Sequence, residues 1–252
     1  MKNTFVLKSS YNFFEFVKLV LFILLISLSA LVNAQQKVIQ LYKGAAPGSE
    51  NWTWDEKVSK DSVVYNVSHP SLTVFLPDTS IANGTSVIIC PGGAWDFLDI
   101  ENGGFDVARW LNKRGITAFI LKYRVTHSLT DDPVKESISK FPNDPDKRHE
   151  VDKPIIDMAI TDAKVALVYV RQHATEYRIM QDRIGLMGSS SGGNIAAVIA
   201  YNHTAENKPD FVVSLYPYAR NIIKSPVPND APPMFITAAT DDQIGFNPSC
   251  SP

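Results

Sequence analysis

Gly188-Ser189-Ser190-Ser191-Gly192 is the stretch that leaves this chain the fewest ways to fold. Ile184 to Met187 leads into it as a short apolar strand. Gly193 to about Ala200 leads out of it as a helix of small residues. A G-x-S-x-G pattern between a strand and a helix reads as a tight elbow that lifts its central hydroxyl clear of a sheet. The spacing has a steric cause. The central residue takes a strained backbone conformation, so the residues two before and two after it must be small. Ser189 and Ser191 are rival hydroxyls, but only Ser190 has glycines at both offsets. The helix that follows turns its positive end toward that hydroxyl. The bland alternative is a Gly/Ser-rich turn that merely caps a helix.

A second stretch gains meaning beside the first. Thr85 to Cys90 reads as a β-branched strand, closed by Cys90-Pro91-Gly92-Gly93-Ala94-Trp95. Glycines at a strand end let backbone N–H groups point outward at an anion. In a site built on a serine nucleophile, such a loop completes an oxyanion hole. The N–H groups of Gly93 and Ala94 are the candidates, joined by that of Ser191.

Composition narrows the field of functions. The chain has 252 residues, 45% hydrophobic and 20% charged, enough for one domain with a large core. A net charge of -2 supplies no basic excess for nucleic-acid backbones. Cys90 closes an apolar run and reads as a buried thiol, and Cys250 lies in the tail; neither has metal-site spacing. Residues 1–34 read as a signal peptide. Lys2, Lys8 and Lys18 lead, Leu19 to Val32 is an apolar run, and Val32-Asn33-Ala34 offers small residues for cleavage. The run falls short of the roughly 20 apolar residues of a membrane span. The expectation is therefore a domain over 35–252, secreted or periplasmic, with no stable membrane anchor after cleavage.

The rest alternates strands with helices. Ser71 to Leu76 is a strand, Asn102 to Arg114 a helix with Gly115 as its C-cap, and Ile116 to Val125 a strand broken by Lys122 and Arg124. Residues 127–153 are polar and form an excursion over one end of the sheet. Pro154 to Ala174 is a long helix whose Asp and Lys residues read as a solvated face. Phe211 to Tyr216 and Met234 to Ala238 complete the strands. Strand–helix–strand order implies right-handed crossovers and a mostly parallel sheet. Ala239-Thr240-Asp241-Asp242 then places an aspartate just past a strand end, where open α/β sheets gather ligands. Asp241 is the candidate acid and Asp242 the second choice; helix capping is the bland use. Residues 35–70 are mixed and rich in aromatics and turns; Ala45-Ala46-Pro47-Gly48 and Asn51-Trp52-Thr53-Trp54 read as ordered loop, with Trp52 and Trp54 favoured for packing over sugar stacking.

Together these motifs resemble the α/β-hydrolase superfamily, in its esterase/lipase branch with dienelactone-hydrolase-like and acetylxylan- or feruloyl-esterase-like members. The resemblance covers roughly residues 70–244. The oxyanion loop reads Pro91-Gly92-Gly93-Ala94 where the branch often has His-Gly-Gly-Gly. The elbow reads Gly188-Ser189-Ser190-Ser191-Gly192-Gly193 where it commonly has Gly-Phe-Ser-Ala-Gly-Gly. The resemblance implies a three-layer α/β sandwich, a Ser190 nucleophile, an Asp241 acid, ester hydrolysis of small acyl groups, with acetyl or feruloyl esters of polysaccharide as candidates, and no metal or organic cofactor. It also implies a histidine after the acid. None is present: His69, His127, His149, His173 and His203 all precede Asp241. The expectation is a chain truncated before the last strand and helix, with Met234–Ala238 left as a hydrophobic edge. The competing class is a secreted glycan-binding relative that lacks a working base and stacks sugars on Trp52, Trp54 and Trp95.

Overall fold

The computed structural model describes residues 15–22, 36–140, 145–217, 226–240 and 242, with side chains of the long helix described from residue 150 onward. Contacts divide the chain into two units, residues 1–36 and 37–252. In the first, residues 15–22 are helical. Phe16, Leu19, Leu21 and Phe22 are exposed there. The remainder of the signal-peptide reading lies outside the described residues. Among the described residues no helix is long and apolar enough to cross a membrane.

The second unit is built on a seven-stranded sheet. Its strands are β1 (Val38–Gln40), β4 (Ser71–Phe75), β5 (Ser86–Cys90), β7 (Thr117–Lys122), β8 (Ile184–Ser189), β9 (Phe211–Leu215) and β10 (Met234–Thr237). Their order is β1-β4-β7-β5-β8-β9-β10. From β7 to β10 every pairing is parallel, while β4 and β1 join antiparallel at one edge. Every residue of β5 is buried. A strand covered on both faces favours an apolar, β-branched run, and Val87-Ile88-Ile89 supplies one at its centre. Burial pushes the Cys90 thiol up, as expected of an inert core cysteine.

Helices pack onto this sheet. A π-helical turn, Glu101–Phe105, runs into α1 (Asp106–Asn112), which lies on β7 and β4. Then come α2 (Pro133–Lys140), α3 (Pro145–Gln172) and α4 (Ser191–Tyr201). α4 packs on β8, β9 and β5, and on α3. From Ser191 to Ala200 its residues are all buried. A helix apolar on every side belongs inside, and Ile195, Ala196, Ile199 and Ala200 make this one so. The architecture is that of an α/β-hydrolase fold with a mostly parallel central sheet.

Several boundaries differ from the sequence reading. Residues 35–70, for which no strand was expected, contribute β1 and two strands of a small antiparallel sheet, β2 (Lys57–Val58) and β3 (Val64–Tyr65), completed by β6 (Phe97–Leu98). Strands of two residues carry no detectable alternation, so no pattern marked them. The excursion over 127–153 is partly helical, holding α2 and the first turns of α3. α3 starts at Pro145, and Pro154 lies inside it. Proline suits a first helical turn, which is why Pro154 looked like a start; within the helix it costs one backbone bond. The sheet strand ends at Lys122, so Tyr123 and Arg124 have left the ladder.

Arg124 is also the largest correction to the surface reading. Its side chain is 1% exposed and that of its partner Asp162 is 0% exposed. Asp162 therefore belongs to no solvated face. Arg124 gives its backbone N–H and Nε to Asp162 Oδ2 at 3.1 and 3.0 Å, and Nη2 to Oδ1 at 2.7 Å. Tyr42 donates to the same Oδ1 at 2.8 Å, and Arg124 Nη1 donates to the Pro47 carbonyl at 2.6 Å. The cluster rivets the loop before β2 to the end of β7 and to the middle of α3.

Candidate active site

Ser190 stands where β8 ends and α4 begins, at φ 53° and ψ -120°. Positive φ is uncommon outside glycine and usually means the surroundings hold the residue there. Two contacts do so here: its N–H donates to the Leu215 carbonyl at 2.9 Å, and its carbonyl accepts from Asn194 N–H at 2.9 Å. The glycines are required by close approach. A Cβ at Gly188 would sit 2.2 Å from the Gly192 carbonyl, and one at Gly192 would sit 1.9 Å from the Cys90 oxygen.

The three serines separate cleanly. Ser189 closes β8 opposite Leu215. It also lines a cavity of about 220 Å³ with Asp99, Asn102, Met187 and Tyr216. Ser191 is 3% exposed and its hydroxyl lies 3.2 Å from the Tyr123 hydroxyl. Ser190 occupies the N-cap position of α4, yet makes no side-chain cap bond. A serine that only started a helix would spend its oxygen on the second or third N–H of that helix. This one leaves it uncommitted and half-buried.

The loop after β5 lies directly against this turn. A Cβ at Gly92 would come within 2.9 Å of the Ser189 carbonyl and 3.2 Å of Ser190 Cβ. The loop then runs through three consecutive positive φ values, 150° at Gly93, 56° at Ala94 and 72° at Trp95. Such a path needs pinning, and it is pinned on all sides. Asp96 and Phe97 N–H donate to the Gly93 carbonyl at 3.0 and 3.1 Å, and Asp99 N–H to the Gly92 carbonyl at 2.8 Å. Thr126 N–H reaches the Trp95 carbonyl at 2.8 Å. The Asp96 carboxylate, on a 1% exposed residue, accepts from Thr126 Oγ1 and Ser137 Oγ, each at 2.5 Å. Gly93 cannot be anything else, because a Cβ there would fall 1.8 Å from the Phe97 oxygen.

Other expected site residues fare differently. Asp241 lies outside the described residues. Asp242 is half-buried and its N–H turns back to the Ala239 carbonyl at 3.2 Å. The described histidines are engaged away from the elbow. His69 Nδ1 pairs with Ser68 at 2.9 Å, His173 Nδ1 lies 2.8 Å from the Tyr169 carbonyl, and His203 Nε2 is 3.1 Å from Asp230. His127 stacks on Trp54 with centroids 4.2 Å apart and planes 8° apart. The side chain of His149 is outside the described residues. Trp95, offered above for sugar stacking, is 8% exposed and belongs to the core, edge-on to Tyr123. Its backbone turn folds the ring inward, which composition could not reveal. Trp52 and Trp54 do stack, at 4.7 Å.

Sequence reasoning also missed Tyr123. It is fully buried and donates to the Pro91 carbonyl at 2.6 Å, beside Ser191. The one available signal was a polar ring at the end of an apolar run, β7, which lies two places from β8 in the sheet. Among the described residues no group of three or more His, Cys, Asp or Glu side chains could hold a metal ion.

Known proteins echo this arrangement. A family model, BD-FAE, matches residues 147–225, from α3 through the elbow to just past β9. An acetylxylan esterase of Xylanibacter ruminicola is 27% identical over 146 residues, 58% of this chain and 25% of that protein. The acetyl ester-xyloside bifunctional hydrolase of Caldicellulosiruptor lactoaceticus superposes with a TM-score of 0.51 at 21% identity, covering 79% of this chain and 73% of the other. The chain is similar to esterase-type α/β-hydrolases. Thermogutta terrifontis esterase 2, solved phosphoramylated by tabun, shares the same fold with a TM-score of 0.50 at 19% identity over 76% of this chain and 73% of its own. The chain spans about a quarter of the length of the curated relative it matches.

Proposed function

We propose that this chain carries the nucleophile and oxyanion cradle of a secreted serine carboxylic-ester hydrolase acting on small acyl esters. Ser190 attacks the ester carbonyl. The N–H groups of Gly93, Ala94 and Ser191 receive the negative charge that develops on its oxygen. The alcohol leaves, and water frees the acid from the acyl-enzyme. Asp241 is the acid that would orient a histidine base, and the chemistry needs no metal. Acetyl esters of a xylan-type polysaccharide are the first substrates to try, because the similar proteins from Xylanibacter and Caldicellulosiruptor are named for acetylxylan and acetyl-ester chemistry. Feruloyl esters are the second. Export through residues 1–34 fits a polymer substrate outside the cell.

One observation carries this reading: Ser190 holds a left-handed backbone at a helix start without using its oxygen to cap the helix. The test is a fluorophosphonate probe followed by peptide mapping, alongside hydrolysis of p-nitrophenyl acetate. Label on Ser190, abolished by Ser190→Ala, is the expected result. An unlabelled Ser190 in folded protein refutes a working hydrolytic site in this chain and favours binding or an inactive fragment.

The other class, a glycan-binding relative, has a single observation in its favour, the Trp52–Trp54–His127 stack. Retention on insoluble xylan that is lost in Trp52→Ala, with no serine labelling, would point there instead.

A further inference from the structure

We propose that Tyr123 is a positioning residue that fixes the gap between the oxyanion loop and the serine turn. The inference rests on the ester-hydrolase reading of Ser190 and adds a residue that the reading did not contain.

Hydrogen-bond bookkeeping sets the direction of a relay. Tyr123 has one hydroxyl proton, and a carbonyl can only accept. At 2.6 Å from the Pro91 oxygen, that proton must lie on the Tyr123–Pro91 line. The contact between Tyr123 and Ser191, 3.2 Å between hydroxyl oxygens, can then be filled in one sense only, with Ser191 donating. The relay runs from Ser191 through Tyr123 to Pro91. One end is the first residue of α4, adjacent to Ser190. The other is the peptide that opens the Pro91-Gly92-Gly93-Ala94 loop.

Two consequences follow for the cradle. A trans peptide is planar, so anchoring the Pro91 carbonyl toward Tyr123 turns the Gly92 N–H the opposite way and sets the loop's first plane. The Ser191 side chain is also committed sideways, leaving its backbone N–H as the group it can offer at the helix start. Both halves of the cradle are thereby indexed to one rigid ring. That ring is buried, packed edge-on against Trp95 and followed directly by the Arg124–Asp162 rivet. Burial pushes the Tyr123 phenol up, so it stays a donor across the working pH range.

Loss of the hydroxyl should loosen the gap without emptying the core. In the full-length chain, Tyr123→Phe should lower kcat on p-nitrophenyl acetate by about 10–100-fold, since small misplacements at a reacting centre cost on that order. KM should stay within about twofold, because ground-state contacts are untouched. Amide exchange over 92–95 should quicken by roughly fivefold, the equivalent of one net hydrogen bond, while α4 stays protected. Tyr42→Phe is the control: it also deletes a tyrosine hydrogen bond, to the buried Asp162, but away from the elbow. It should lower melting temperature and leave kcat alone.

If Tyr123→Phe does not fold, Ser191→Ala removes one arm of the relay and keeps the backbone N–H. It should lower kcat by about fivefold, again one hydrogen bond's worth. Wild-type kcat in either folded variant, unchanged exchange over 92–95, or an equal kcat loss in Tyr42→Phe overturns the positioning role. Should wild-type protein neither turn over ester nor take the serine probe, the functional reading fails on its own. The exchange contrast between Tyr123→Phe and Tyr42→Phe then still decides whether Tyr123 holds the loop.

Discussion

Asp162→Asn tests the energetics of the fold most directly. The change keeps the volume of the side chain and removes its charge. In the native protein Oδ2 accepts from the backbone N–H and Nε of Arg124, and Oδ1 accepts from Arg124 Nη2 and Tyr42. An asparagine must place its amide nitrogen on one side or the other. With the nitrogen on the Oδ2 side it faces two donors, Arg124 N–H and Nε; on the Oδ1 side it faces Arg124 Nη2, while the Tyr42 hydroxyl can turn to accept. Each buried unsatisfied group costs about 1–3 kcal/mol, and the guanidinium keeps a charge with no counter-ion. Removing one partner of a buried pair typically costs about 3–5 kcal/mol, which agrees with that count. For a domain of this size each kcal/mol moves the melting temperature by about 2–4 °C, so the variant should melt roughly 6–20 °C lower. Urea unfolding followed by circular dichroism gives the free energy directly. The double variant Arg124→Met, Asp162→Leu removes both charges and should recover much of the loss. A single variant within about 1 kcal/mol of wild type would refute the reasoning, since that is the range of an ordinary surface pair.

Two further outcomes are expected. Burial acts on Glu136 to raise its pKa, but Lys140, Ser128, the Leu129 N–H and Thr130 together outweigh it and hold the carboxyl at about 2, against an ordinary 4.5. A depressed folded value means the stabilisation is present above about 4.5 and is lost as pH falls toward 2, so Glu136→Gln should flatten the acid limb of a stability–pH curve in that window; an unaltered limb counts against it. At the sheet edge, Phe235 and Ile236 are 60% and 55% exposed on β10, the last strand in the order. Phe235→Lys with Ile236→Lys should reduce self-association in light scattering, and equal association of both proteins would remove β10 as its cause.

Much of the site was legible because close approach leaves a written trace. Gly188 and Gly192 are glycines because carbonyls crowd them, and Gly93 because Phe97 does. A reader of the sequence sees those constraints directly. The β5 run was legible for the same kind of reason, since a strand buried on both faces admits little but apolar residues. What escaped was set by distant partners. Nothing near Asp162 in the sequence says that Arg124, 38 positions earlier, will bury it. Tyr123 looked like the tail of a strand because its two hydrogen bonds go to residues 32 and 68 positions away. Pro154 misled because one residue type serves both to begin a helix and, at a cost, to sit inside one.

The bond from Ser190 N–H to the Leu215 carbonyl ties the elbow to a strand that comes later in the chain. During synthesis β8 and α4 emerge before β9 exists, so of the two bonds that hold the strained serine only the one from Asn194 can form until Leu215 arrives. The full restraint on the reactive geometry is therefore a late acquisition, completed when the sheet grows outward past β8.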